Sequence, residues 1–236
     1  MRPVLFEIGG VAVYTYGLFA ALALLAALWA AGRRAGRFGL SRKDASDLVF
    51  IFFACGILGA RLFYIAQHPA EYLAHPLKIL SLREGGLVWY GGFFGAAAAG
   101  ALYAKWKKWP LLTVCDLFAP VLPLVHGVGR IGCFLNGCCY GKEAAGFRHP
   151  VQLYEAGSLF ALSSLLFLLS AKLKAREGAL FAAYLFFYGL LRFTVEFWRG
   201  DQTAFAGLTP PQWTSLLLIA GSLFLFGRAP KDHAGV

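Results

Sequence analysis

Seven stretches of this chain are each long and apolar enough to be read as crossing a lipid bilayer, and that reading constrains everything else. A spanning helix needs about 20 mostly apolar residues, and it suits lipid because it satisfies its own backbone polar groups. The runs lie at 11–31, 48–67, 87–104, 111–128, 153–171, 179–197 and 213–227. With 59% hydrophobic and 14% charged side chains, the 236 residues cannot form an ordinary soluble domain. The expected fold is all-α, a polytopic transmembrane helical bundle in one integral membrane domain covering 1–236. No internal repeat, low-complexity tract or domain linker interrupts it.

The net charge of +10 does not point to nucleic acid, since the basic residues are spread among apolar runs rather than gathered on a soluble surface. Topology accounts for them. Lys and Arg accumulate in cytoplasmic loops, and the segments after the odd-numbered runs hold Arg33, Arg34, Arg37, Arg42 and Lys43, then Lys105, Lys107 and Lys108, then Lys172, Lys174 and Arg176, then Arg228 and Lys231. In the alternate segments Lys78 and Arg83 are offset by Glu71 and Glu84, Lys142 and Arg148 by Glu143, and Arg199 by Asp201. The amino end is therefore expected outside and the carboxyl end in the cytoplasm. The first run is expected to be a retained anchor, because its arginines follow the apolar stretch instead of preceding it as in a signal peptide.

Ionisable groups inside spanning segments are costly and mark function by default. Here they gather toward the outer ends of the runs: Tyr16, Arg61 with Tyr64, Tyr90, Arg130, Tyr154 with Glu155, and Arg192 with Glu196 and Arg199. Asp116 is the exception, near a cytoplasmic end, where a structural cap or pair is expected. In the sixth run Tyr188, Arg192, Glu196 and Arg199 are spaced by four, four and three residues and are expected on one helical face. That face is either a structural Arg192–Glu196 pair with a snorkelling Arg199, or a phosphate site. Arginine's planar fork suits phosphate oxygens, so Arg130 and Arg192, with Arg61 as a third member, would hold a phospholipid head. The glycine-rich segment His126–Gly141 is expected to be non-helical and to line a cavity beside it, with a packed turn as the plainer alternative.

The segment Gly129-Arg-Ile-Gly-Cys-Phe-Leu-Asn-Gly-Cys-Cys-Tyr-Gly141 resembles the signature of the bacterial prolipoprotein diacylglyceryl transferases. Further landmarks follow in that family's order: Tyr16-Gly17, His75–Leu80, Gly85–Gly92, Asp116–Pro120, His149–Glu155, Arg192–Arg199 and Leu208–Gln212. The resemblance implies a multi-pass enzyme of the bacterial inner membrane, with its site toward the outer face. Its reaction would move the diacylglyceryl group of phosphatidylglycerol onto the lipobox cysteine of a preprolipoprotein signal peptide, releasing glycerol 1-phosphate and using no cofactor. Carried over by motif, Tyr16, Arg130, Gly141, Tyr188, Arg192, Glu196 and Arg199 match functional positions, with Arg130 and Arg192 as the phosphate clamp and Glu196 orienting Arg192. Arg61, Glu155 and His126 are added as substrate-binding residues.

The chain departs from the family pattern at Cys133 and Cys138, where Asn and Glu are usual, and at Tyr90, where His is usual. A tyrosine, with an ordinary pKa of about 10, is a poor base for a thiol proton, which leaves the general base open with His126 as a substitute. Cys133, Cys138 and neighbouring Cys139 admit structural packing, a disulfide or redox pair, or a nucleophilic role beside Arg130. A metal site is disfavoured by the C-x4-C-C spacing, which lacks the usual C-x2-C pair and a clear fourth ligand. Two rival functions remain: a related lipid transferase with another acceptor, and a non-catalytic phospholipid-binding or transport protein. The asymmetric placement of the polar residues argues against transport, which favours midplane charges and inverted repeats.

Overall fold

The computed structural model describes residues 4–8, 11–80, 85–144, 146–173, 176–199 and 205–228. The loop charges Arg83, Glu84, Lys174, Asp201 and Lys231 lie outside them. The described chain opens with an antiparallel hairpin, β1 (Val4–Ile8) and β2 (Val11–Tyr14). The first expected span began at residue 11, so its start is corrected. Val, Ile, Phe and Tyr on either side of Gly9-Gly10 suit a pleated ribbon, and the helix α1 (Thr15–Arg34) begins only beyond them.

By its internal contacts the chain divides into two compact units, residues 31–111 and residues 1–30 with 112–236. The first contains α2 (Arg42–Gln67), α3 (Pro69–Ala74) and α4 (Trp89–Trp106). α2 starts earlier than hydropathy suggested because Ser41 and Asp44 form a capping box, in which the Ser41 hydroxyl accepts from the Asp44 amide at 3.0 Å and the Asp44 carboxylate accepts from the Ser41 amide at 3.2 Å. α2 and α4 meet through glycine. A Cβ on Gly95 would fall 2.6 Å from the Cys55 carbonyl oxygen, and Gly59 and Gly91 press backbone on backbone. Lipid offers no hydrophobic drive between helices, so such close contact is how spanning helices hold each other.

The second unit contains α5 (Leu111–Phe118; its first residue belongs to the other unit), α6 (Val121–Asn136), a small ribbon of β3 (Glu143–Ala144) and β4 (Phe147–Arg148), then α7 (Val151–Leu169), α8 (Ala179–Val195) and α9 (Pro210–Arg228). The fourth expected span is a bent pair, α5 and α6 meeting at 43° around Ala119-Pro120, where proline interrupts the helical hydrogen bonding. Ser163 on α7 donates to the Pro120 carbonyl at 2.8 Å in the buried interior. Leu117, Val121, Val151, Leu159 and Leu166 form the core. Outward, Leu168 is 75% and Leu217 72% exposed, an apolar exterior that only lipid tolerates on this scale.

Among the described residues four helices are long and apolar enough to cross a membrane, 15–38, 42–67, 151–169 and 179–198, and the bent pair makes five if it counts as one span. The protein is thus an all-α membrane protein with several spans. The two remaining expected spans exist as helices of 18 and 19 residues, α4 and α9. Their apolarity is diluted, in α4 by glycines and Lys105, and in α9 by Pro210-Pro211-Gln212 at its start.

Asp116 is the cap expected of it. Its carboxylate accepts from the backbone amides of Gly178 and Phe181, each at 2.7 Å, and so closes the amino end of α8. Replacing Asp116 by Ala leaves those amides without an acceptor and is expected to destabilise the protein by about 1–3 kcal/mol. A lowered thermal unfolding midpoint in detergent, partly restored in Asp116→Asn, is the result to look for; an unchanged midpoint would remove Asp116 from the list of fold determinants.

Candidate active site

Residues four and then three apart recur on the same side of a helix, so α6 aligns His126, Arg130 and Cys133. The expected non-helical stretch over 126–141 is therefore corrected: the helix continues to Asn136 and the chain leaves it only at Gly137. The glycines serve packing rather than a break. A Cβ on Gly127 would lie 2.8 Å from the Phe160 ring, and one on Gly132 would lie 2.8 Å from the Phe19 Cβ.

Arg130 meets a carboxylate from the first turn and a half of α7. Its Nη2 lies 3.0 Å from Oε1 of Glu155, whose side chain is wholly buried. The Nε of Arg130 donates to His126 Nε2 at 3.3 Å, and His126 Nε2 lies 3.6 Å from the same Glu155 oxygen. An imidazole that accepts at Nε2 carries its proton on Nδ1 and is neutral. Neither Glu155 oxygen makes a well-directed hydrogen bond among the described residues, so charge alone holds the Arg130–Glu155 contact.

α8 supplies the second pair. Arg192 Nη2 lies 2.9 Å from Glu196 Oε2, and the buried Glu196 also accepts from the Thr209 hydroxyl at 3.0 Å. Thr209 is fixed in turn by its amide, which donates to Gln212 Oε1 at 3.0 Å. The Nη1 of Arg192 is buried and has no hydrogen-bond partner among the described residues. Arg130, Arg192 and Glu155 all lie within Coulombic reach of His126 and of Tyr188, whose ring centroid is 5.9 Å from that of His126.

The polar face expected along the sixth run holds through Arg192 and then changes. α8 gives way to a tight turn over Glu196–Trp198, and Arg199 is extended and buried, bridging backbone to backbone with Gly141. A snorkelling Arg199 is thereby corrected. Gly141 sits where only glycine fits: a Cβ would press on Val151 and fall 2.7 Å from the Trp198 carbonyl oxygen and 2.9 Å from that of His149. This turn holds the segment after α6 against the entrance to α7, helped by Gln152, whose side-chain amide donates to the Cys138 carbonyl at 2.7 Å.

Cys133, Cys138 and Cys139 are free thiols with their sulfurs within 4.8 Å of one another. The Cys139 thiol is drawn below its ordinary range, first by a hydrogen bond from Cys133 and then, against the opposing effect of burial, by Cys138 and the charges of Arg130 and Arg199. Tyr16, in the first turn of α1, lies within Coulombic reach of Arg130 and all three thiols.

Arg61 and Tyr90 belong to the other unit. Arg61 is buried and spends its guanidinium on backbone carbonyls, with Nε donating to Ile79 at 3.1 Å, Nη1 to Gly85 at 2.8 Å and to Gly86 at 3.2 Å, and Nη2 to Lys78 at 2.5 Å. It pins a loop. Tyr90 is exposed on the first turn of α4, its ring edge-on to Trp89 at 5.3 Å.

With this geometry in view, comparison with known proteins is decisive. The family model described as prolipoprotein diacylglyceryl transferase matches residues 3–228. The chain belongs to that family. It is 35% identical to the phosphatidylglycerol–prolipoprotein diacylglyceryl transferase of Clostridium tetani, covering 96% of this chain and 97% of the relative. It is 37% identical to the enzyme so named from Geobacter sulfurreducens, covering 95% and 92%, and 37% identical to that from Bordetella bronchiseptica, covering 98% and 97%.

In this diacylglyceryl transferase family member, sequence reasoning missed Thr209, Gln212 and Gln152 as positioning residues. Their signal was present in Leu208-Thr-Pro-Pro-Gln212 and in the Gln152–Glu155 spacing, but neither names its distant partner. Removing one member of a buried ion pair strands the other. Glu155→Ala is accordingly expected to cost about 3–5 kcal/mol of stability, and a second change, Arg130→Ala, to recover part of that loss. Unfolding midpoints of the single and double variants in detergent check this; additive losses would deny the coupling.

Proposed function

We propose that this chain transfers the diacylglyceryl group of phosphatidylglycerol to the thiol of the lipobox cysteine in a preprolipoprotein signal peptide, with glycerol 1-phosphate as the leaving group. The names of its relatives supply the donor and the class of acceptor. The observation that carries the reading is the pair of part-buried arginines, each set by its own buried carboxylate, with Arg192 Nη1 still holding an unused donor. A phosphodiester head would bind these two guanidinium groups. As the carbon–oxygen bond to phosphate breaks, negative charge grows on the phosphate, and donors fixed beforehand stabilise that charge more than they stabilise the bound lipid.

Glu155 and Glu196 position the two guanidinium groups, and Thr209 positions Glu196. Tyr16 and Tyr188 flank the clamp, while Gly141 and Arg199 shape the turn that bounds it. His126, neutral and hydrogen-bonded to Arg130, fixes that side chain rather than accepting the thiol proton. The site is placed toward the outer face of the bacterial inner membrane, with seven spans, the amino end outside and the carboxyl end cytoplasmic. The basic residues after α1, α4 and α7 support this orientation. The family model runs through both compact units, which supports reading them as one integral membrane domain.

The test is release of glycerol phosphate from phosphatidylglycerol by the purified protein in detergent, given a lipobox peptide or its Cys→Ala version. Release is expected only with the cysteine peptide. Arg192→Ala and Arg130→Ala are expected to reduce it by about a hundredfold to a thousandfold, as loss of one fixed transition-state donor does elsewhere. Equal release with both peptides would mean a different acceptor, and lipid binding without release would mean no transferase.

A further inference from the structure

Three thiols converge where the sequence spacing predicted no metal site. The convergence is made by the backbone. α6 ends at Gly137, which has a left-handed conformation with φ of 80°, and the amides of Gly137 and Cys138 turn back to the Cys133 carbonyl at 3.0 and 3.1 Å. Cys139 follows with φ of 60°, a conformation rare for a residue with a side chain. The reversal folds Cys138 and Cys139 back over the last helical turn beside Cys133, and the Gln152 side chain holds the fold through the Cys138 carbonyl. A C-x4-C-C spacing thus delivers what a C-x2-C pair usually delivers.

We propose that Cys133, Cys138 and Cys139 hold a thiophilic divalent cation of the zinc type, with a fourth coordination position left open. The three sulfurs lie within 4.8 Å of one another, near enough for small side-chain shifts to reach the spacing of about 3.8 Å of a tetrahedral thiolate site, and all three residues are only part-buried, so an ion and a further ligand can reach them. Charge fits as well. Three thiolates around a divalent cation leave one net negative charge, and Cys139 lies within Coulombic reach of two arginines, Arg130 and Arg199. A disulfide would join two of the sulfurs and strand the third, whereas a cation uses all three. Three protein ligands with an open position describe a catalytic rather than a structural site.

The open position deepens the transferase reading and rests on it. The acceptor's thiol would bind there, losing its proton to water, and the cation would keep its sulfur as thiolate without a basic side chain. That sulfur attacks the lipid carbon bonded to phosphate; the sulfur–carbon bond forms, the carbon–oxygen bond breaks, and its electron pair leaves on glycerol phosphate held by the arginines. No electron is gained or lost overall, and the cation is unchanged. This supplies the thiol activation for which neither Tyr90 nor His126 is suited.

Cadmium alone, added to the reduced full-length protein in detergent, reads the site through the ultraviolet thiolate-to-metal charge-transfer band. An intensity matching three thiolates per bound cadmium is expected. It should be untouched in Cys55→Ser with Cys115→Ser, and binding should weaken in each of Cys133→Ser, Cys138→Ser and Cys139→Ser by at least about tenfold, the lower end of what even an outer partner of a metal ligand costs. Absence of the band in the reduced wild-type protein overturns the site, as does a stable disulfide within the trio found by mass spectrometry of protein purified without reductant. Adding the lipobox peptide should raise the band to four thiolates and its Cys→Ala version should not. Glycerol phosphate release that continues unchanged after chelation, with metal analysis confirming removal, overturns the catalytic role and leaves the transferase reading standing. Cadmium binding by three thiolates with no release from the zinc-loaded protein supports the site and overturns the transferase reading instead.

Discussion

A guanidinium placed among apolar helices demands a carboxylate, and the structure of the second unit is organised by meeting that demand twice. Arg130 on α6 takes Glu155 from α7, while Arg192 on α8 takes Glu196 just beyond its own helix. Each carboxylate is wholly buried, so losing its arginine would strand a buried charge. The first ties two helices together across their contact. The second recruits Thr209 and, through it, Gln212 at the start of α9. The polar residues of four helices are thereby set relative to two fixed positive charges, the feature on which the proposed lipid phosphate site rests.

The remaining features follow from keeping those charges in place at membrane depth. Asp116 closes the start of α8 and so fixes the helix that carries Arg192. Ser163 holds α7 to the bend at Pro120, which fixes the helix that carries Glu155. Gly127 and Gly132 let α6 approach Phe160 and Phe19 closely, and Gly141 lets the following turn pass between Val151, Trp198 and His149. None of these groups has chemistry of its own. Their effect is to hold Arg130, Arg192 and the thiols to a geometry that mobile side chains would lose.

Family membership and the local geometry are both compatible with the lipid phosphate site proposed above, and the departures from the family pattern fall elsewhere, beside Arg130. The resemblance rests on Gly129–Gly141 and the landmarks in their order, and the chain departs from the family pattern at Tyr90, Cys133 and Cys138. The structure shows why that segment is more than a variant loop: a left-handed glycine followed by a left-handed Cys139 brings three sulfurs to one place beside Arg130. The departures at positions 133 and 138 thus lie beside the proposed clamp and leave its Arg130–Glu155 and Arg192–Glu196 pairs in place.

By itself the sequence determined the solvent, the element type and the ingredients of the site. Apolar length and the pattern of basic residues depend on local composition, so α7 and α8 are legible at both ends and α2 at its last residue, and Tyr16, Arg130, Arg192 and Glu196 can be named from their cost in lipid and from the family motif. Asp116 was likewise legible as a cap. The tertiary structure alone decided the partners. Only the structure shows that Glu155 pairs with Arg130 and that Arg61 also holds a loop, while the glycines from His126, which suggest freedom in sequence, mark close packing of a continuous helix. In each case the deciding quantity is a distance between residues far apart in the chain. Hydropathy and spacing report which face or depth a residue occupies, and they cannot report which distant group will meet it there.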